Sequence, residues 1–251
     1  MFLKILFVLA VALEFVFVPL FLKYSWPKKC WKSFGYKMVC SALFFLAGLL
    51  AVRISGNNTQ YATLILWGLA FGWLGDMFLH LITDKIVVFG LGLFAFLGGH
   101  IFYIVAFQKA ILKTYPNAGV FKWYEILAVL ALVGLIVAYA LIKKINIKTY
   151  MAIPVVMYAV TISMMLVKAF RYSIGEIAYG TNDHMFMVFL TVAIGAVLFV
   201  LSDGSLGIIL FAGQDKNRPL KIFNIATYFA AQILLAASIF YVQSPAILYG
   251  T

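Results

Sequence analysis

The sequence predicts an all-α membrane protein, a bundle of eight transmembrane helices forming one domain over residues 1–251. Three observations predict it. Of the 251 residues, 65% are apolar and 11% charged, with a mean hydropathy of +1.06; a soluble domain carries about a quarter of its residues as charges. Eight apolar runs reach the length that crosses a bilayer. Lys and Arg gather mostly in the short connections between those runs, where basic residues set membrane orientation.

The runs fall at 2–22, 34–52, 61–82, 86–108, 123–142, 149–170, 184–211 and 221–243. At about 1.5 Å per residue, ~20 residues cover a ~30 Å hydrocarbon core. Backbone groups find no water in lipid, so the spans are helices, and the alternation of a β-barrel is absent. The first run is read as a span rather than a signal peptide: it is too long, carries Glu14 at its middle and lacks a small-residue cleavage site before Lys23. Thr83-Asp84-Lys85 is short enough to make spans three and four antiparallel neighbours. Pro154 near the start of span six is tolerable there, with a kink as the alternative. Cys30 and Cys40 show no metal spacing and carry no disulfide argument.

Counted with the span ends beside them, the connections after spans one, three, five and seven hold 5, 1, 3 and 3 Lys and Arg, against 7 on the side of the termini. That places the former in the cytoplasm and both termini outside. The net charge of +11 is accounted for by this asymmetry, so nucleic acid is not an expected partner.

Charges inside lipid cost about 2.5 kcal/mol or more each at a span's centre, which makes Glu14, Asp76 and Asp203 the residues to explain. Counted at about 1.5 Å per residue from the cytoplasmic ends, Asp76, Asp203, Glu14 and Gln232 lie about 10, 12, 13 and 16 Å deep. They share a layer, with His100 and Tyr103 deeper. Gly68, Gly72, Gly75 and Asp76 fall on one helical stripe, as do Gly92, Phe96, Gly99, His100 and Tyr103. Gly195, Phe199, Ser202 and Asp203 repeat the arrangement, and Asn224, Tyr228, Ala231 and Gln232 line span eight. Small residues beside a polar group permit close helix approach or leave room for a ligand. Polar glue between helices explains Ser202 or Gln232 singly, but explains two aspartates at one depth poorly. Gly68-x7-Asp76 and Gly195-x7-Asp203 lie 127 residues apart, a weak sign of a parallel four-plus-four repeat. His80 is expected at the membrane interface and His184 near the external end of span seven. Three histidines at three depths cannot share one metal with ligands at ~2.1 Å, so no metal is expected, and no other cofactor.

These stripes resemble the lysoplasmalogenase family of membrane enzymes, called YhhN-like after its bacterial member. Four segments carry the match: Gly72-Trp73-Leu74-Gly75-Asp76, Phe96-Leu97-Gly98-Gly99-His100-Ile101-Phe102-Tyr103, Gly195-Ala196-Val197-Leu198-Phe199-Val200-Leu201-Ser202-Asp203, and Tyr228-Phe229-Ala230-Ala231-Gln232. Their order on spans three, four, seven and eight is what makes the match specific. The resemblance implies an ether hydrolase in the cell membrane of a bacterium. Its substrate would be lysoplasmalogen, whose 1-alkenyl ether bond is split to a fatty aldehyde and glycerophospho-ethanolamine or -choline. It also implies Asp76 and Asp203 as the active-site residues.

Such a reaction begins with proton transfer to the outer alkene carbon and ends with capture of an oxocarbenium ion by water. Asp76 and Asp203 are therefore expected to form a coupled general acid/base pair in one dry pocket. His100, Tyr103, Ser202, Tyr228 and Gln232 would orient them or hold the water, and Glu14 is a third candidate carboxyl. The alternative from the same residues is a proton- or ion-coupled transporter that uses the carboxyls as a relay.

Overall fold

A computed structural model describes residues 1–57, 59–83, 85–142, 145, 149–180 and 183–242. Asp84 of the predicted tight connection, Lys143, Lys144 and Lys148 of the charge count, and residue 243 lie outside them. Eight helices among the described residues are long and apolar enough to span a membrane, so the chain is an integral, multi-pass helical membrane protein. They are α1 (Phe2–Tyr24), α2 (Trp31–Ser55), α3 (Gln60–His80), α4 (Ile86–Thr114), α5 (Trp123–Ile142) and α6 (Thr149–Tyr179). The last two are α7 (Met185–Phe211), which contains a π-helical stretch at Phe189–Ile194, and α8 (Arg218–Tyr241).

Local chemistry sets the ends. Cys30 and Ser33 form a reciprocal capping box at the start of α2, and Gly56 closes that helix in the left-handed region at φ 65°. The Thr59 side chain caps α3, and the Asn217 side chain caps α8 ahead of Pro219. Helix α6 continues through Pro154. Both α2 and α6 are longer than the apolar runs suggest, because each carries cations that a hydropathy reading assigns to loops.

The glycine stripe of α3 permits the α3–α4 packing. A Cβ at Gly68 would run into the Tyr103 ring, and one at Gly99 would stand 3.1 Å from the Gly68 carbonyl. Helix α2 packs on α1, α3 and α8, while α6 packs on α5, α7 and α4. The neighbours of α6 are those of α2 advanced by four helices, the arrangement a parallel four-plus-four repeat produces. Helices α3 and α7 do not pack against each other among the described residues.

Helix α5 is peripheral and touches α6 alone among the described residues. Its N-terminal end is fastened by Glu125, which is fully buried, with Lys168 Nζ at 2.9 Å and Arg171 Nη1 at 2.9 Å. Arg171 also donates to the carbonyl of Ala118 at 2.6 Å. The charges are thus paired and hydrogen-bonded, as burial requires.

Candidate functional site

The two membrane aspartates stand in two separate hydrogen-bonded stations. Asp76, 2% exposed on α3, has Lys37 Nζ of α2 at 2.9 Å from Oδ1. Its Oδ2 accepts from Ser41 Oγ at 2.6 Å and from the Tyr228 hydroxyl of α8 at 2.8 Å. Gln232 Nε2 donates to that hydroxyl at 3.1 Å, and the Tyr103 hydroxyl of α4 donates to Gln232 Oε1 at 2.8 Å. Every bond in the chain from Tyr103 through Gln232 and Tyr228 points toward Asp76. A carboxyl surrounded by a lysine and hydroxyl donors is an acceptor, hence ionised. Lys37 in turn lies 4.6 Å from the Tyr228 and Phe229 ring centres, so its charge also meets π-faces.

Asp203 on α7 meets a different set. The Tyr158 hydroxyl of α6 donates to Asp203 Oδ2, and His100 Nε2 of α4 lies 3.1 Å from the same oxygen and 3.0 Å from the Tyr158 hydroxyl. His100 Nδ1 lies 3.2 Å from Met165 Sδ. A thioether only accepts, so Nδ1 carries a hydrogen. Nε2, the Tyr158 hydroxyl and Asp203 Oδ2 therefore meet at hydrogen-bonding distance, with Nδ1 turned away from the carboxyl. Asp203 Oδ1 has no hydrogen-bond partner among the described residues.

That oxygen belongs to a side chain lining a cavity of about 230 Å³. The walls are Leu79 of α3, Phe96 of α4, Ile136 and Tyr139 of α5, Tyr158 of α6 and Gly207 of α7, with other apolar residues. Asp76 is not among the residues that line it. Phe96, which does, packs edge-on to Tyr228 at 5.8 Å. Phe199 packs on His100 at 4.7 Å and on Tyr228 at 5.6 Å. Aromatic rings therefore stand between the stations, and among the described residues no hydrogen bond or ion pair joins the two carboxyls. The expected coupled pair in one pocket is replaced by two carboxyls with separate partners: equal depth put them in one layer, but their helices are not neighbours.

The remaining candidates divide accordingly. His100 joins Asp203; Tyr103, Tyr228 and Gln232 join Asp76. Ser202 joins neither, contrary to expectation: its Oγ donates to the Asn224 carbonyl at 3.0 Å, and Asn224 Nδ2 donates to the Ser202 carbonyl at 2.8 Å. It ties α7 to α8. Glu14 is 5% exposed and neither carboxyl oxygen has a hydrogen-bond partner among the described residues; its charged neighbours are Lys37 and Asp76. His80, the last residue of α3, is buried against the protein, with Nε2 2.9 Å from Ser33 Oγ. Among the described residues no three His, Cys, Asp or Glu side chains converge as a metal site.

Lys37, Ser41, Tyr158 and Met165 are the partners that sequence reasoning missed. For Lys37 a signal existed: a lysine six residues inside α2 lies about 9 Å from the helix start and needs a counter-charge. For Tyr158 no spacing distinguishes it from other tyrosines in apolar spans.

The model of the YhhN family matches residues 32–239, covering α2 through most of α8 and leaving α1, with Glu14, outside. No curated protein matches the chain, and no solved structure does.

Proposed function

The chain belongs to the YhhN family, and from that premise we propose that it hydrolyses the 1-alkenyl ether bond of lysoplasmalogens, with Asp203 as the proton-transferring group. The observation that carries this reading is the Asp203 carboxyl, 3.1 Å from His100 Nε2 and lining an apolar cavity. An alkenyl chain fits such walls, and its ether end then meets the only carboxyl among the cavity's lining residues.

The chemistry balances with one carboxyl. Asp203, in its protonated form, delivers the proton to the outer alkene carbon; the C=C electron pair forms the C–H bond and leaves an oxocarbenium ion. The resulting carboxylate steadies that cation and takes a proton from the water that attacks it. The hemiacetal then breaks its C–O bond as its hydroxyl proton passes, through the same groups, to the leaving glycerol oxygen. The products are a fatty aldehyde and glycerophospho-ethanolamine or -choline. His100 and Tyr158 hold Asp203 Oδ2, so the carboxyl stays fixed while Oδ1, without a partner among the described residues, carries the proton to the substrate.

Asp76 acts as a positioning residue. It fixes Tyr228, whose ring braces Phe96 of the cavity wall and, through Phe199, the His100 ring. The reading is tested with purified protein in detergent given lysoplasmalogen, with fatty aldehyde measured. Aldehyde release that is lost in Asp203→Asn supports it. No release, or release surviving that change, overturns it. Activity in detergent also separates hydrolysis from transport, which requires a sealed compartment and a gradient.

A further inference from the structure

The substitutable glycines of this bundle divide into two kinds. Gly68, Gly75 and Gly99 are pressed against a neighbouring helix. Gly204 and Gly207 of α7 are not: a Cβ built on either meets nothing within 4 Å. Both line the Asp203 cavity; Gly207 stands about one turn beyond the carboxyl on its helix face and Gly204 about 100° round from it, so the surface of α7 beside and beyond Asp203, toward its C-terminal end, has been left bare. Across the gap stand Ile136, Tyr139 and Ala140 of α5, yet α5 does not pack on α7 among the described residues. Ile136, Tyr139 and Leu210, which line the gap, are each about two-fifths exposed, at 42, 42 and 41%. The cavity is therefore a slot between α5 and α7, open toward the surroundings of the bundle along its side. In a membrane those surroundings are lipid.

We infer that this slot takes in the hydrocarbon chain of a membrane amphiphile sideways from the bilayer, and that Gly204 and Gly207 are specificity-determining positions along which the chain lies. The inference rests on the reading of Asp203 as the reacting group and adds the substrate's path of entry. Beyond Asp203, Tyr139 and Tyr158 the walls are apolar and offer no further partners for a desolvated charge, which suits a hydrocarbon occupant along the slot. An apolar cavity of about 150 Å³ takes up one benzene ring. The 230 Å³ here accommodates a stretch of one extended chain and not two side by side. The fastening of α5 by Glu125, Lys168 and Arg171 lies at the other end of that helix, so the slot is held open where no α7 contact supports it.

The test uses the full-length protein in detergent and a 1-O-alkyl lysophosphatidylcholine bearing a diazirine on its chain. This saturated ether has no alkene to protonate and stays intact. On irradiation, label should concentrate on peptides containing Ile136, Tyr139 and Leu210. Excess unlabelled 1-O-alkyl lysophosphatidylcholine should suppress it at least tenfold, whereas a dialkyl phosphatidylcholine should not. Gly207→Leu and Gly204→Leu should each lower labelling at least tenfold without lowering the melting temperature. Gly35→Leu, whose Cβ also meets open space but outside the slot, should leave labelling unchanged. Label spread evenly over the lipid-facing helices, or undiminished in the Gly207 variant, overturns the inference. Labelling as expected without aldehyde release from lysoplasmalogen leaves the slot standing and removes the vinyl-ether reading. Aldehyde release undiminished in the Gly207 variant does the reverse.

Discussion

Asp76 and Asp203 occupy comparable places in the two halves of the chain and differ in what their second oxygen does. Asp76 on α3 is held from α2 and α8; Asp203 on α7 is held from α6 and α4. Advancing the first set by four helices gives the second. In both, Oδ2 accepts from a tyrosine hydroxyl. At Asp76, Lys37 occupies Oδ1 at 2.9 Å and closes the site. At Asp203, Oδ1 is unoccupied by any described residue and its side chain lines a cavity. A carboxyl whose oxygens are all satisfied by fixed donors is an anchor, since moving its proton means breaking a buried ion pair. One with a free oxygen, an imidazole partner and access to apolar space is placed for chemistry.

The comparison predicts unequal consequences for the same substitution. Asp203→Asn should lower aldehyde release by about 10²–10⁴-fold, the usual contribution of a positioned acid/base group, while circular dichroism and melting temperature stay near those of the parent. Asp76→Asn should do the opposite in emphasis. It leaves Lys37 buried beside a neutral amide and should destabilise the protein by about 3–5 kcal/mol, read as a fall in melting temperature. Adding Lys37→Met to Asp76→Asn should recover much of that loss, because the uncompensated charge goes. A double variant no more stable than Asp76→Asn would mean that Lys37 is not the group left stranded. Tyr158→Phe removes one hydrogen bond to a carboxyl, worth about 1.5–3 kcal/mol. It should reduce turnover by about ten- to a hundredfold and lower the melting temperature less than Asp76→Asn does. If it matched Asp203→Asn, Tyr158 would itself be the proton donor.

The smallest effect concerns orientation. Cys30 caps α2 outside the spans, and hydrogen bonding from the Ser33 backbone lowers its thiol below the ordinary value, whereas Cys40 is fully buried. With the termini outside, a membrane-impermeant maleimide should label Cys30 after cells are opened and not before. Cys40 should stay unlabelled in both. Labelling of Cys30 in intact cells would invert the proposed topology.

What was legible in the sequence follows from what a single helix can encode. The spans, the glycine stripe ending at Asp76, and the alignment of His100 with Tyr103 are properties of one helix each, and the structure keeps them. The depth of Asp76 and Asp203 is also readable from one helix at a time. Whether the two meet depends on which helices adjoin, and α3 and α7 do not. Lys37 was lost in another way: it lies near enough to the basic connection to be counted with it, yet α2 begins at Trp31 and carries it inside. Tyr158 and Met165 carry no signal because a tyrosine or methionine in an apolar span is ordinary. The repeat, faint as a spacing of 127 residues, is clearer in the matching neighbours of α2 and α6 and in the two aspartate stations.

The central claim is that Asp203 transfers a proton to carbon. Its most direct test is hydrolysis of lysoplasmalogen in D₂O, with the aldehyde trapped as its oxime at once and read by mass spectrometry. The account predicts one deuterium at the carbon next to the aldehyde and no trapped aldehyde from Asp203→Asn. Aldehyde without deuterium at that carbon, or deuterated aldehyde at the parent rate from Asp203→Asn, would contradict it.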